Sequence, residues 1–141
     1  MQNNYPHLVV EVVVPPELTD PHIVWILGKT QPCLPQSTDL VLLLDTSLLT
    51  RTSLPVEAFN GYTVISIDHH EDFAEAVQGY RDNTAPSNTI ILTEMAEFLG
   101  WTIDSTTATA LLMGVYTDTG GFIHRNTDAR ALSTAARLLD L

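Results

Sequence analysis

The chain has 141 residues, 45% of them hydrophobic and 16% charged, enough to bury the core of one ordinary domain and too apolar for a disordered segment. Seventeen acidic residues against six Lys and Arg give a net charge of −11, which repels the phosphates of long nucleic acid and argues against a broad nucleic-acid groove. No apolar run approaches the roughly 18 residues of a membrane-spanning helix.

The first ten residues lack a basic segment leading into an apolar one, so no secretory signal is expected. The single Cys33 cannot form an internal disulfide and suits a reducing cytoplasm. Residues 7–15, rich in valine and ending at a proline pair, read as a strand. The apolar run at 21–28 cannot be assigned by periodicity. Residues 39–46, "DLVLLLDT", form a continuous apolar run ending in an acid, as in a central parallel strand covered on both faces. The interval 46–61 suffices for a right-handed crossover with a short helix, and "YTVISIDHH" at 62–70 repeats the strand pattern.

The second half reads as helical. Ile91, Met95, Phe98 and Leu99 recur at helical spacing across 89–99, and Gly100 is placed to end that helix. Asp104 or Ser105 can cap a second helix carrying Ala108, Leu111, Leu112 and Val115. Thr127 can cap a third through Leu132, Ala135, Ala136 and Leu139. The expectation is one α/β domain over residues 1–141, with a mainly parallel sheet flanked by helices and no repeat or linker.

Ligands of open parallel sheets gather at the carboxyl ends of the strands. Both central strands carry acids there: Asp45 after "LVLLL", and Asp68 with His69 and His70 after "VISI". A third candidate is Asp118, ahead of Gly120 and Gly121, whose amides can face an anion. Carboxylates with imidazole suit Mn²⁺ or Mg²⁺, and two such ions about 3.5–4 Å apart serve phosphoryl hydrolysis. Plainer roles stand beside these: Asp45 and Asp118 as turn residues, one histidine as a core residue, His124 and Arg125 as surface residues before the last helix.

Taken in order, "LLLDT", "IDHH" and "YTDTGGF", followed by "NT" at a helix start, resemble the second, third and fourth motifs of the DHH family of phosphoesterases. The resemblance runs from about residue 8 to the end and is nearest to the oligoribonuclease and pAp phosphatase branch. RecJ-type exonucleases and family II inorganic pyrophosphatases are more distant. It implies a doubly wound sheet and two divalent ions, usually Mn²⁺, with Mg²⁺ or Co²⁺ as substitutes. Asp45 would bridge the metals, and His69 and Asp118 would each ligate one. His70 would bind or polarise the phosphate, and Asp68 would hold an imidazole in its tautomer. Ser87 and Thr89, in "APSNT", would lie beside the substrate, as would Gly120 and Gly121.

The family's first motif, a His-x-x-x-Asp-x-Asp run, is absent from the sequence, as is its C-terminal substrate-binding domain. The expectation is therefore a partial catalytic domain with an incomplete site, nearly inactive alone, acting by descent on short oligoribonucleotides or nucleotides such as pAp. It would be cytoplasmic, with no membrane or long duplex as partner, and compatible with a homodimer. The alternative is a non-catalytic DHH module that binds a nucleotide, a metal or a protein. A haloacid-dehalogenase-like phosphatase would need a second aspartate two residues after Asp45, and neither the dinucleotide fingerprint nor the P-loop is present.

Overall fold

The computed structural model describes residues 5–7, 9–13, 30–31, 34, 40–71 and 77–141. The apolar run at 21–28, Cys33 and the end of the strand expected at 7–15 lie outside them. Within 7–15, β1 (Val12–Val13) pairs in parallel with β2 (Thr30–Gln31). A second sheet holds β3 (Val41–Leu44), β4 (Val64–Asp68) and β5 (Gly79–Arg81) in that order, all parallel.

The continuous apolar runs follow from the covering of both sheet faces. Val41, Leu43 and Val64 pack with Phe59, Leu49 and Leu54 on one side. Leu42 and Ile67 pack on the other with Ile91, Leu92 and Met95 of helix α1 (Asn88–Phe98). Successive side chains of a strand point to opposite faces, so a strand covered on both sides has no place for a polar alternation. The α/β class with a doubly wound parallel sheet holds.

The connection from β3 to β4 differs from the short helix expected at 46–61. It consists of two 3₁₀ turns, Leu49–Arg51 and Val56–Phe59. The Thr52 hydroxyl donates to the carbonyl of Leu49 at 2.7 Å, ending the first turn. Pro55, extended at φ −63° and ψ 145°, has no N–H with which to carry a helix across the gap. Strand β5 went unread because Gly79–Arg81 has no apolar run. Its pairing requires the glycine: a Cβ on Gly79 would lie 2.6 Å from Ser66 N.

Each helix starts at a polar cap. Ser87 caps α1 by accepting from Thr89 N, and Asp104 caps α2 (Ser105–Asp118) by accepting from Thr107 N at 2.8 Å. Helix α3 (Ala129–Leu139) is capped by Asp128, which accepts from Ala131 N at 2.9 Å, and not by Thr127 as the sequence suggested. Asp128 has the extended backbone of a cap, and its carboxylate reaches the third helical amide. The three helices share a core of Ile90, Ala108, Val115, Ala131 and Leu138. Arg130 of α3 clamps both carboxylate oxygens of Glu94 on α1 at 2.7 and 2.6 Å and reaches Asp82 beyond β5 at 2.7 Å. A forked pair of this geometry fixes orientation better than a single surface contact. No helix among the described residues is long and apolar enough to cross a membrane.

Helix α1 approaches α2 most closely at Gly114, where a Cβ would run into the Thr89 side chain, 2.8 Å from its hydroxyl oxygen. Gly114→Ala is expected to destabilise the fold by about 1–3 kcal/mol despite the better helix propensity of alanine. A urea-denaturation midpoint equal to or above that of the parent would show that the crossing is looser than described.

Candidate metal centre

Strands β3 and β4 run side by side with Leu44 opposite Ile67, so their carboxyl ends bring Asp45 and Asp68 to the same rim. Asp45 leaves the strand with φ 65°, in the left-handed region that aspartate tolerates better than most residues, while its N–H donates to the Ile67 carbonyl at 3.0 Å. The chain turns away there and leaves the Asp45 side chain at the surface.

Asp68 is buried and organises the two histidines that follow it. Its Oδ1 accepts from His69 N at 2.8 Å, from His70 N at 3.2 Å and from His70 Nδ1 at 2.7 Å. Burial pushes the Asp68 pKa up, but the hydrogen bonds of the His70 ring and amide outweigh it, and the pKa lies below the usual carboxylate value. The Ser47 hydroxyl helps to lower it, although neither that hydroxyl nor Asp68 Oδ2 has a partner at ordinary hydrogen-bond geometry.

His69 Nδ1 lies 3.1 Å from the Ala85 carbonyl oxygen, which can only accept, so Nδ1 carries the proton. In the neutral ring, Nε2 then holds a lone pair, and it faces Asp45 Oδ1 at 3.2 Å. A lone pair against a carboxylate is repulsive. Two things relieve it: a second proton on His69 or a cation between the two atoms. Without a cation, the hydrogen bond to Asp45 leads, opposed by burial and aided by the Ala85 carbonyl and the charges of Asp45 and Asp118, and the His69 pKa is raised. His70 Nδ1 is engaged by Asp68 in the same manner, which leaves its Nε2 free to ligate.

Asp45, His69 and His70 each offer a ligand atom within 4.8 Å of the others. A carboxylate and two imidazoles locked through Nδ1 are a donor set that fits a divalent transition-metal ion. Asp118 ends α2, half-buried and near enough for its charge to act on His69, but it stands outside that group of three. The turn after it has Gly120, Gly121 and Phe122 at φ 57°, 69° and 68°. Buried Thr119 staples this turn, donating to the Val115 carbonyl at 2.7 Å and accepting from Phe122 N at 3.1 Å. Ser87 is fully buried, and its hydroxyl lies 2.8 Å from that of Thr89, so both residues build the start of α1 two to four positions after the carbonyl that holds His69. His124 and Arg125 are exposed, with His124 Nδ1 3.4 Å from the Asp118 carbonyl oxygen. Sequence reasoning missed the Ala85 carbonyl, and it missed that Asn126 Nδ2 donates to the carbonyls of Pro86 and Asp118 at 3.1 Å each. The "NT" at 126–127 was the one available signal for the latter.

An α/β sheet with carboxylate and imidazole donors at its carboxyl rim can hold a divalent cation there. No protein-family profile matches the chain. Among curated proteins it is similar to the bifunctional oligoribonuclease and PAP phosphatase NrnA of Mycoplasma genitalium, 36% identical over 77 residues, 53% of this chain and 24% of that protein. It is also similar to the protein of the same name from Mycoplasma pneumoniae, 26% identical over 146 aligned residues, 98% of this chain and 44% of that one. The chain thus spans less than half the length of these relatives. Its fold is similar to that of an exopolyphosphatase-related protein from Bacteroides fragilis, at a TM-score of 0.62 and 21% identity over 72% of this chain and 32% of the other. A putative family II inorganic pyrophosphatase from Methanococcus jannaschii gives the same TM-score and identity over 86% of this chain and 44% of the other. These similarities agree with the resemblance to the DHH family of phosphoesterases carried by the sequence motifs.

The raised pKa of His69 sets a pH dependence. The stabilisation of the protonated ring is fully present below about pH 6.5, the usual histidine value, and is lost as pH rises through the higher folded value. Metal-free protein is therefore expected to lose stability over that interval, and Asp45→Asn to flatten the loss. Added Mn²⁺ should have its largest stabilising effect at the upper end, where the ring is neutral. Thermal melts at a series of pH values check this, and parallel curves for parent and variant would contradict it.

Proposed function

We propose that the chain is a single DHH-type domain that uses divalent metal, most naturally Mn²⁺, to hydrolyse phosphoester bonds of short oligoribonucleotides or of nucleotides such as pAp. The observation that carries the reading is the opposition of His69 Nε2 and Asp45 Oδ1 at 3.2 Å, with His69 held by a backbone carbonyl that forbids the other tautomer. The names of the curated relatives support the substrate class. Asp45, His69 and His70 are the residues that would hold a cation, with Asp118 at the end of α2 as a further acid whose charge acts on His69. Asp68 fixes His70 and the peptide units of both histidines. The Gly120 and Gly121 amides, expected to face an anion, are already given to the Thr117 and Tyr116 carbonyls, so this turn, like buried Ser87 and its neighbour Thr89, would shape the wall of the site and not donate to a phosphate. A bound divalent ion would neutralise phosphoryl charge and lower the pKa of water at neutral pH. Against a surface charge of −11, such ions also supply the local positive field that a phosphate needs.

Loss of a residue that merely supports a ligand commonly costs about 10–100-fold in metal affinity, so loss of a ligand itself should cost at least that. Asp45→Asn and His69→Ala are expected to weaken Mn²⁺ binding by at least about 100-fold with the circular dichroism spectrum unchanged, and to abolish any Mn²⁺-dependent phosphate release from pAp. Undiminished affinity in both variants would defeat the site. With the family's first motif not in this sequence, turnover of pAp or a short RNA by this chain alone is expected to be low, and a parent chain that bound no Mn²⁺ would defeat the reading.

A further inference from the structure

Asn126 lies in the segment between the turn after α2 and the start of α3, and its side-chain amide makes two contacts that cross the site. Nδ2 donates to the Asp118 carbonyl at 3.1 Å and to the Pro86 carbonyl at 3.1 Å. The two acceptors belong to different elements. Asp118 ends α2, whereas Pro86 follows directly on Ala85, whose carbonyl holds the His69 ring at 3.1 Å. We infer that Asn126 is a positioning residue that sets the separation between Asp118 and His69 through these two carbonyls, an inference that rests on the metal-centre reading above.

The chemistry of the brace is specific. One NH₂ group supplies exactly two hydrogens and meets two carbonyl oxygens, so both donors are used and no other uncharged side chain of that length presents the same pair. Aspartate has the same shape and no donor, and would set its oxygens against both carbonyls. The two segments also approach through the helices that carry them, at Thr89 and Gly114, one turn before Asp118. The turn after Asp118 is closed on itself, with Gly121 N donating to Tyr116 O at 2.8 Å and Gly120 N to Thr117 O at 3.1 Å. The Ala85 segment is closed on its own side, with Ala85 N donating to Asp82 O at 3.1 Å and Ile90 N to Ser87 O at 3.2 Å. Asn126 therefore links two internally satisfied turns, and its loss would let them separate without unfolding either.

The test uses the full chain and Mn²⁺ alone. Asn126→Asp and Asn126→Ala are expected to weaken Mn²⁺ binding roughly tenfold by calorimetry, and Asn126→Gln, which keeps both donors, to recover part of it. Arg137→Ala serves as the control: it removes the 2.9 Å contact with Glu97 between α3 and α1, far along the helices, and should leave the affinity unchanged. A second readout needs no metal. Hydrogen exchange in residues 84–89 and 118–124 should quicken in Asn126→Asp and not in Arg137→Ala. Parent-like affinity in Asn126→Asp while Asp45→Asn fails to bind would overturn the positioning role and leave the metal centre standing. If the parent chain bound no Mn²⁺, the metal-centre reading would fail instead, and unchanged exchange in both segments would then overturn the brace as well.

Discussion

A single buried carboxylate sets the geometry of the rim. Asp68 sits almost wholly out of water at the end of β4, where a charge is costly unless it is hydrogen-bonded. Its Oδ1 meets that requirement locally, with the next two amides and the ring of His70. Satisfying the acid therefore bends the chain around it as the strand ends. Two consecutive imidazoles, which in an extended strand would point to opposite faces, are brought to ring centroids 4.5 Å apart.

The rest of the site follows from what each ring has left. His70 spends Nδ1 on Asp68 and His69 spends Nδ1 on Ala85, so both present Nε2 outward. The partner for His69 is supplied by the neighbouring strand, and the β3 to β4 register sets its distance. The helical half contributes from the opposite side. Asp118 and the glycine turn are carried on α2, which is held to α1 through a crossing only glycine permits at position 114. A strand-borne half and a helix-borne half thus meet at one rim, and their spacing depends on few atoms.

What could be read from the residues was what periodicity and strand ends encode. The runs at 41–44 and 64–68 are apolar because both faces are covered, and the acids after them mark the carboxyl ends; from these, Asp45, Asp68, His69 and His70 could be named and their neighbourhood inferred. The helices were legible from apolar spacing, but the stripe read for the last one was out of register, since Leu132, Ala136 and Leu139 face solvent while Ala131, Thr134, Ala135 and Leu138 are buried, and its cap was placed one residue early because Thr127 and Asp128 are both good caps and only the backbone decides between them. Contacts made by the backbone were illegible. The Ala85 carbonyl that selects the His69 tautomer lies sixteen residues away and could belong to any residue type. Strand β5, whose Tyr80 is exposed, offers no hydrophobic signature. The 3₁₀ turns between β3 and β4 reflect Thr52 and Pro55 acting together, and spacing alone does not show that.

The left-handed backbone at Asp45 narrows what evolution can place there. Besides glycine, asparagine and aspartate adopt that conformation most readily, so glutamate, which could also bind a cation, would strain the bend after β3. The tolerated replacements are the uncharged ones. A drift to asparagine or glycine at this position would keep the sheet intact while removing a charge from its rim, so the acid can be lost by one substitution that leaves no mark on the scaffold.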